Sequence, residues 1–309
     1  MRTFPEFWRS VHDPDLALIV CQPTFFAPWN WQWLMRLIFH HRFLRGQISL
    51  TRSLAPQLLR AKLPVRLAIV DMDDIPLINR NSFQCHTYFK RELPSDYWRL
   101  FLKTAHSNLP TPRFRRQRWF AERLAKVRPI SLGLPLDRFH LFPIAAAEKT
   151  SDVFFAGRIV DSSTVRGRGI SELLALRDKG LKIDIANEVL SPREFYERCA
   201  RAWLVWSPEG LGWDCFRHYE ALACKAVPII NYPAIERHQP LIEREHAFYY
   251  GVEPGGLTRT VLFALSNKGR LARMAEAGCS HVLAHHTPAA IARYIVGATL
   301  GLAGAAVGA

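Results

Sequence analysis

No C-x-x-C pair occurs among the six cysteines, Cys21, Cys85, Cys199, Cys215, Cys224 and Cys279. Zinc ribbons and thioredoxin-like redox motifs are therefore excluded, and dispersed cysteines in a chain of this length suit free thiols in a reducing compartment. No G-x-G-x-x-G follows a strand pattern and no G-x-x-x-x-G-K-[ST] is present, which disfavours ordinary dinucleotide binding and P-loop chemistry. The pairs His40-His41 and His285-His286 lack the i, i+4 spacing with a carboxylate that a helical zinc site needs. The start of the chain, MRTFPEFWRS, has no apolar signal core. Long hydrophobic runs are scarce as well. The longest, YIVGATLGLAGAAVGA at 294–309, is uncharged but short for a membrane span, and reads as a packed or frayed tail. Repeats and low-complexity tracts are missing. Together these absences point to a cytoplasmic protein, with peripheral contact at the inner face of a membrane as the membrane association to expect.

What is present is core material and positive charge. The 309 residues are 49% hydrophobic, enough for two domains of ordinary size. The net charge of +14 is uneven: residues 1–150 hold 23 Lys/Arg against 11 Asp/Glu, whereas residues 151–309 hold 18 against 16. A basic first half attracts anions such as phosphates, acidic glycans, nucleic acid or a membrane surface, and charge alone does not choose among them.

Along the chain, apolar runs alternate with helical patterns. Residues 16–20 (LALIV) and 65–70 (VRLAIV) read as buried strands, the second ending in the acidic run 71–74. Between them lie a tryptophan-rich loop at 28–33, suited to core packing or to stacking on a sugar ring, and apolar-periodic stretches at 31–44 and 52–62. Residues 113–128 read as a basic amphipathic helix, and 130–139 as a short strand and loop. From about residue 150 a regular series follows: strand VFFA, an Arg- and Gly-rich loop over 157–169, and a helix from 171 stopped by Gly180. Next come strand LKIDIA, a helix from Ser191 with Pro at its first position, strand LVWS, a helix over 214–224, strand 227–231, and helices from 257 onward. Such alternation predicts parallel sheets covered on both faces.

The most informative stretch is 207–230, SPEGLGWDCFRHYEALACKAVPII. A strand runs into a loop holding Pro208, Gly210 and Gly212, and a helix follows. In an open α/β sheet ligands sit beyond the carboxyl ends of strands, glycines let backbone approach them, and a helix N-terminus suits a diphosphate. Asp214, Arg217 and Glu220, at i, i+3 and i+6, share one helix face. By spacing alone they read equally as a surface ion-pair series. Arg158 follows the first strand of the second half, and Arg166 and Arg168 lie in the loop after it, another phosphate-binding position. A solvated Arg-rich loop is the plainer alternative there.

Ser207, Pro208, Gly210, Gly212, Arg217, Glu220, Ala221, Leu222, Pro228, Ile229 and Ile230 resemble the nucleotide-sugar site of exostosin-like and related group 1 glycosyltransferases. The resemblance is specific over 207–230, plausible over 151–295 and weak before that. It implies an α/β protein of two Rossmann-like domains (GT-B type) facing each other across a cleft. It implies also that Arg217 holds the diphosphate and Glu220 the ribose, with basic residues such as Arg158, Arg166 and Arg168 beside them; Ser207, Gly210, Gly212 and, from its place at the helix start, Asp214 are the further candidate donor-site residues. Two departures stand out. Lys225 occupies the place where the pattern has glycine, and Gly212 stands eight residues before Glu220, where many relatives are acidic. The second departure leans towards an inverting reaction.

The expected organisation is an acceptor-binding domain over 1–150, a nucleotide-sugar domain over 151–295 and a tail at 296–309. The expected reaction is transfer of a sugar from a nucleoside-diphosphate donor to an acceptor hydroxyl, metal-independent, with the nucleotide sugar as co-substrate and no further cofactor. Asp71, Asp73 and Asp74 are the candidate general bases, or an ordinary acidic turn. His86, Lys90 and Arg91 are the candidate contacts to an anionic glycan or lipid-linked acceptor, or a solvated helix face. Nucleic acid is not expected as a partner. The alternatives are a metal-dependent transferase using Asp71 and Asp73 as a D-x-D pair, and a non-catalytic protein that binds nucleic acid or glycan.

Overall fold

The computed structural model describes residues 17–22, 66–72, 74, 85–95, 124–142, 144, 147–158 and 164–301. The tryptophan-rich loop, the helices expected at 31–44 and 52–62, Asp73 and most of the basic segment 113–128 lie outside them. The chain divides into two compact units. The first comprises Met1–Ile130, Ile235–His238 and Ala292–Ala309, and the second Ser131–Ala234 and Gln239–Ile291. The segment 131–150, which the sequence assigns to the first half, thus groups with the second unit, and residues from Ala292 onward group with the first.

In the first unit four strands form one parallel sheet in the order β1 (Ala17–Gln22), β2 (Arg66–Asp71), β3 (Thr87–Lys90) and β4 (Val127–Pro129). β1 and β2 are the two apolar runs read from the sequence. β3 corrects the helical reading of CHTYFKRE: every residue of Thr87–Lys90 is buried. β4 likewise replaces the end of the predicted basic helix. Tyr294 anchors the C-terminal segment within this unit. Its ring meets Phe89 edge-on at 5.4 Å and stacks on His238 at 3.7 Å, and its hydroxyl donates to the Pro129 carbonyl at 3.0 Å. Among the described residues no helix is long and apolar enough to cross a membrane.

The second unit is a five-stranded parallel sheet, ordered β6 (Ile183–Ile185), β5 (Ser151–Phe155), β7 (Ala202–Trp206), β8 (Val227–Asn231) and β9 (Phe248–Tyr250). Its helices are α1 (Thr164–Asp178), α2 (Pro192–Ala200), α3 (Phe216–Ala223), α4 (Gly256–Leu265) and α5 (Lys268–His285), with α6 (Pro288–Leu300) beginning here. Alternate strand residues face opposite layers. Val153, Phe155, Leu204 and Trp206 pack with Leu173 and Leu176 of α1 and Leu257 and Val261 of α4. Phe154 and Val205 pack on the other face with Tyr196 and Cys199 of α2 and Ala221 of α3.

Local signals explain most of the boundaries. Ser191 caps α2 in a reciprocal capping box with Glu194, and Pro192 opens the helix. α1 starts earlier than its sequence suggests, so Arg166 and Arg168 sit in its first turns rather than in a loop. Gly169 within it is required by packing: a Cβ there would lie 2.1 Å from the Trp206 ring. α3 starts later, at Phe216, with Cys215 as N-cap. It ends in a Schellman motif, the Ala226 N–H donating to the Ala221 carbonyl and the Lys225 N–H to the Leu222 carbonyl, both at 2.9 Å. Lys225 takes the left-handed conformation, φ +54°, that a glycine would take without strain.

Candidate functional site

Strand order places the site. β5 has β6 on one side and β7 on the other, so the chain reverses direction across the sheet between β5 and β7. Such a switch point opens a crevice beyond the strands' carboxyl ends. The loops entering that crevice are Ala156–Arg158 after β5 and Ser207–Cys215 after β7.

The second loop is held by side chains the sequence does not single out. His218 on α3 is fully buried. Its Nε2 lies 2.9 Å from the Trp213 carbonyl and its Nδ1 2.7 Å from Ser207 Oγ. A carbonyl can only accept, so Nε2 carries a proton, and in the neutral ring Nδ1 accepts from the Ser207 hydroxyl. Asn231, at the end of β8, accepts from the Glu209 N–H and donates to the Glu209 carboxylate, each at 2.9 Å. Trp213 Nε1 donates to the Asn231 carbonyl. Ser207, buried with its hydroxyl committed to His218, therefore shapes this loop.

Arg166 joins the two loops. Its Nε donates to the Glu209 carbonyl and its Nη1 to the Arg158 carbonyl, both at 2.9 Å. Arg158 itself is exposed, as is Arg168. Glycine leaves room where the guanidinium groups pass. A Cβ on Gly157 would lie 2.7 Å from Arg217 Nη2, and one on Gly210 3.0 Å from Arg166 Nη2. Gly212 accepts the Gly210 N–H through its carbonyl and closes the turn.

Arg217 carries the main electrostatic feature. It is only 9% exposed and lies over the Phe155 ring at 5.2 Å, and its Nε and Nη1 are buried without a hydrogen-bond partner. Burial lowers the proton affinity of Arg166, and the charge of Arg217 lowers it further. Two guanidinium groups thus lie close together at the sheet's switch point, and the more deeply buried one keeps two N–H groups without an acceptor.

Glu220, on the same helix as Arg217, is 5% exposed. Burial raises its carboxyl pKa, while the Tyr196 hydroxyl, donating to Oε1 at 2.8 Å, and the charges of Arg217 and Arg138 pull it back down. Asp214 departs from the sequence reading. It precedes α3, and its carboxylate accepts from the Leu132 N–H and the Tyr219 hydroxyl, both at 2.7 Å. It ties the incoming segment 131–134 to α3 and does not share a helix face with Arg217 and Glu220.

In the first unit the acidic run and the basic cluster are paired with each other. Asp71 and Lys90 are both fully buried and lie 3.1 Å apart, and the Tyr88 hydroxyl donates to the other Asp71 oxygen. Arg91 pairs with Asp74, whose side chain is 38% exposed, and lies beside Glu92. His86, by contrast, is exposed ahead of β3. Lys90 and Arg91 are thus internal charges rather than a solvated face, and Asp71 presents no exposed oxygen.

No family model matches this chain, and no curated protein does. Several solved structures are similar to it. TarM matches at 10% identity and a TM-score of 0.47, over 79% of this chain and 52% of TarM. TarM from S. aureus is also known as a mutant in complex with fondaparinux, α-GlcNAc-glycerol and UDP. Sucrose-phosphate synthase from Thermosynechococcus elongatus matches at 12% and 0.46, over 77% of this chain and 68% of that one. A glycosyltransferase from Rickettsia africae matches at 12% and 0.43, over 93% and 99%. The chain spans about half the length of TarM.

Proposed function

We propose that the second unit binds a nucleoside-diphosphate sugar and that the protein is a GT-B-type glycosyltransferase, passing the sugar to an acceptor hydroxyl in cell-surface glycan or glycolipid synthesis. One observation carries the reading: Arg217 is a buried guanidinium with two N–H directions unfilled, beside a second guanidinium at the sheet's switch point. Buried N–H groups without an acceptor are costly, and phosphate oxygens supplied by a ligand remove that cost. The planar fork suits phosphate oxygens, and two such groups match a diphosphate better than a single carboxylate. Glu220 supplies a buried acceptor at the right polarity for ribose hydroxyls. During transfer, negative charge grows on the leaving diphosphate, and fixed cations there stabilise it. Arg158 and Arg168, both exposed, join them from the loop after β5 and from α1.

For an inverting reaction a carboxylate must take the acceptor's proton. Within the acidic run the role falls on Asp74 or Asp73, because Asp71 is closed in by Lys90 and Tyr88. A cation bound at Asp71 and Asp73 would have to displace Lys90, so the metal-dependent alternative is the less favoured one. The basic first half suits an anionic glycan or lipid-linked acceptor, reached from the cytoplasm at a membrane surface.

The test is a thermal-shift series with UDP, GDP, CDP, TDP, ADP and inorganic pyrophosphate, with and without Mn²⁺. A ligand at 100 times its Kd adds about 2.7 kcal/mol to the native state. One nucleoside diphosphate raising the midpoint, and losing that effect in Arg217→Ala, supports the reading. No shift with any of them at millimolar concentration overturns it. A shift that needs Mn²⁺ turns it towards the metal-dependent form.

A further inference from the structure

We propose that Tyr196 is a positioning residue of the nucleotide site: its phenol fixes the Glu220 carboxylate through Oε1 and leaves Oε2 directed to the ribose hydroxyls. This rests on the nucleotide reading above and adds to it a residue on a different helix.

The arrangement is built rather than incidental. Tyr196 is fully buried on α2, its ring wedged between Phe142 at 4.6 Å and Phe195 at 5.5 Å. With the ring fixed, the hydroxyl has one direction, and it donates to Glu220 Oε1 at 2.8 Å. The ring packs in an apolar cluster with Phe154, Cys199, Ala200, Val205 and Ala221, and the Arg138 guanidinium lies near the hydroxyl. A phenylalanine would fill that space equally well, and a leucine at position 220 would leave no polar group to satisfy. A buried phenol donating to a buried carboxylate is retained at a cost unless the carboxylate has a ligand to meet. No hydrogen bond engages Oε2 among the described residues, and a carboxylate oxygen accepts up to two.

The groups facing Glu220 come from three elements: Tyr196 and Cys199 from α2, Arg217 from α3 itself, and Asp137 and Arg138 from the 3-10 helix Leu136–Leu141. Burial holds the Glu220 carboxyl pKa above its ordinary value. Of the groups that oppose this, the Tyr196 hydroxyl acts most strongly, ahead of Arg217 and Arg138. Without it the carboxyl keeps its proton to higher pH. A protonated carboxyl accepts more weakly, so ribose binding weakens most on the acid side, whereas contacts to the diphosphate are left alone.

The experiment uses the full chain as wild type, Tyr196→Phe and Glu220→Gln. Affinities for UDP, GDP, CDP, ADP and inorganic pyrophosphate are measured by calorimetry from pH 6 to 9. The Glu220 carboxyl is titrated by ¹³C NMR, with its resonance assigned by its loss in Glu220→Gln. In Tyr196→Phe the bound ribonucleoside diphosphate should weaken about tenfold at pH 6, the loss of one charge-assisted hydrogen bond. The deficit should narrow towards pH 9, pyrophosphate should bind as in wild type, and the Glu220 titration should move upward. In Glu220→Gln the pH dependence should flatten. An unmoved Glu220 titration, wild-type nucleotide affinity at every pH, or an equal loss of nucleotide and pyrophosphate each overturns the role of Tyr196. Failure of wild type to bind any nucleotide or pyrophosphate overturns the nucleotide reading instead.

Discussion

Replacing Arg217 by Met should make the ligand-free protein more stable while removing its affinity for diphosphates. Met has a similar length, fills the channel over Phe155, and carries no N–H to satisfy. Two buried N–H groups of Arg217 lack a partner, and each such group costs about 1–3 kcal/mol. The substitution gives up the stacking of the guanidinium on Phe155, centred 5.2 Å away, which is worth about 0.5–1 kcal/mol. It also relieves the repulsion felt by Arg166. The balance is a gain of about 1–5 kcal/mol, or roughly 2–20 °C in the midpoint at about 2–4 °C per kcal/mol for a unit of this size, less the attraction between Arg217 and Glu220 that is given up. Binding moves the other way. Two charge-assisted hydrogen bonds to phosphate oxygens are worth about 1.5–3 kcal/mol each, so pyrophosphate should bind at least about 100-fold more weakly. Thermal melting without ligand and calorimetry with pyrophosphate read the two signs separately. A ligand-free midpoint that drops by several degrees, together with pyrophosphate affinity within about threefold of wild type, would refute the reasoning: Arg217 would then be a structural cation.

Gly157→Ala should shift the Arg217 guanidinium by placing a Cβ 2.7 Å from its Nη2; calorimetry should show roughly tenfold weaker pyrophosphate binding, with thermal stability changed by less than about 1 kcal/mol because the end of a flexible side chain gives way. Lys225→Gly removes a left-handed φ that costs a side chain roughly 1–2 kcal/mol and gives back about 0.4–1 kcal/mol in chain entropy. Its ion pair with Glu276 is exposed and adds little, so the melting point should rise by about 1–2 °C. Lys149 donates to the carbonyls of Ala200, Ala202 and Lys225 at 2.7–2.9 Å; Lys149→Met leaves all three unmet and should cost about 2–4 kcal/mol in chemical denaturation. Ligand-free stability should fall as pH rises above the ordinary glutamate range, because the folded chain holds the Glu220 proton that the unfolded chain has released; Glu220→Gln should flatten that slope, and an unchanged slope would count against the carboxyl as its source.

Parallel strands buried on both faces are written as unbroken apolar runs, and this is why LALIV, VRLAIV, VFFA, LVWS and VPII could be read directly. Charge masks the same physics elsewhere in the sequence. CHTYFKRE contains Lys90 and Arg91 and so suggests a solvated helix. β3 nevertheless lies inside the sheet because Asp71, one strand away, neutralises Lys90 at zero exposure. That pairing joins residues far apart in sequence, and no local pattern encodes it. The start of α1 is hidden in the sequence for a related reason. Gly167 and Gly169 argue for a loop by propensity, yet Gly169 is in the helix because the Trp206 ring takes the place of its side chain. β9 leaves no sequence signal because its three residues, Phe248–Tyr250, are too few to display a period.

The candidate site divides along the same line. Arg217 and Glu220 were legible because one helix spaces them three apart and the sequence around them has a recognisable shape. Asp214 has the same spacing and a different role, since Cys215 rather than Asp214 caps α3 and the carboxylate turns to Leu132 and Tyr219. Spacing therefore identifies a shared face only once the helix start is known. Tyr196, His218 and Asn231 left no signal at all. Tyr196 lies on another helix than Glu220, and it reads in sequence as one more aromatic in an amphipathic segment. A single buried hydroxyl distinguishes it from a phenylalanine, and its consequence is electrostatic: it fixes which oxygen of Glu220 is occupied and how readily the carboxyl gives up its proton. Arg217 and Glu220 leave a local pattern because one element carries both of them. Residues that tune those groups are scattered across the fold, and only the packing of α2 against α3 brings this one into reach.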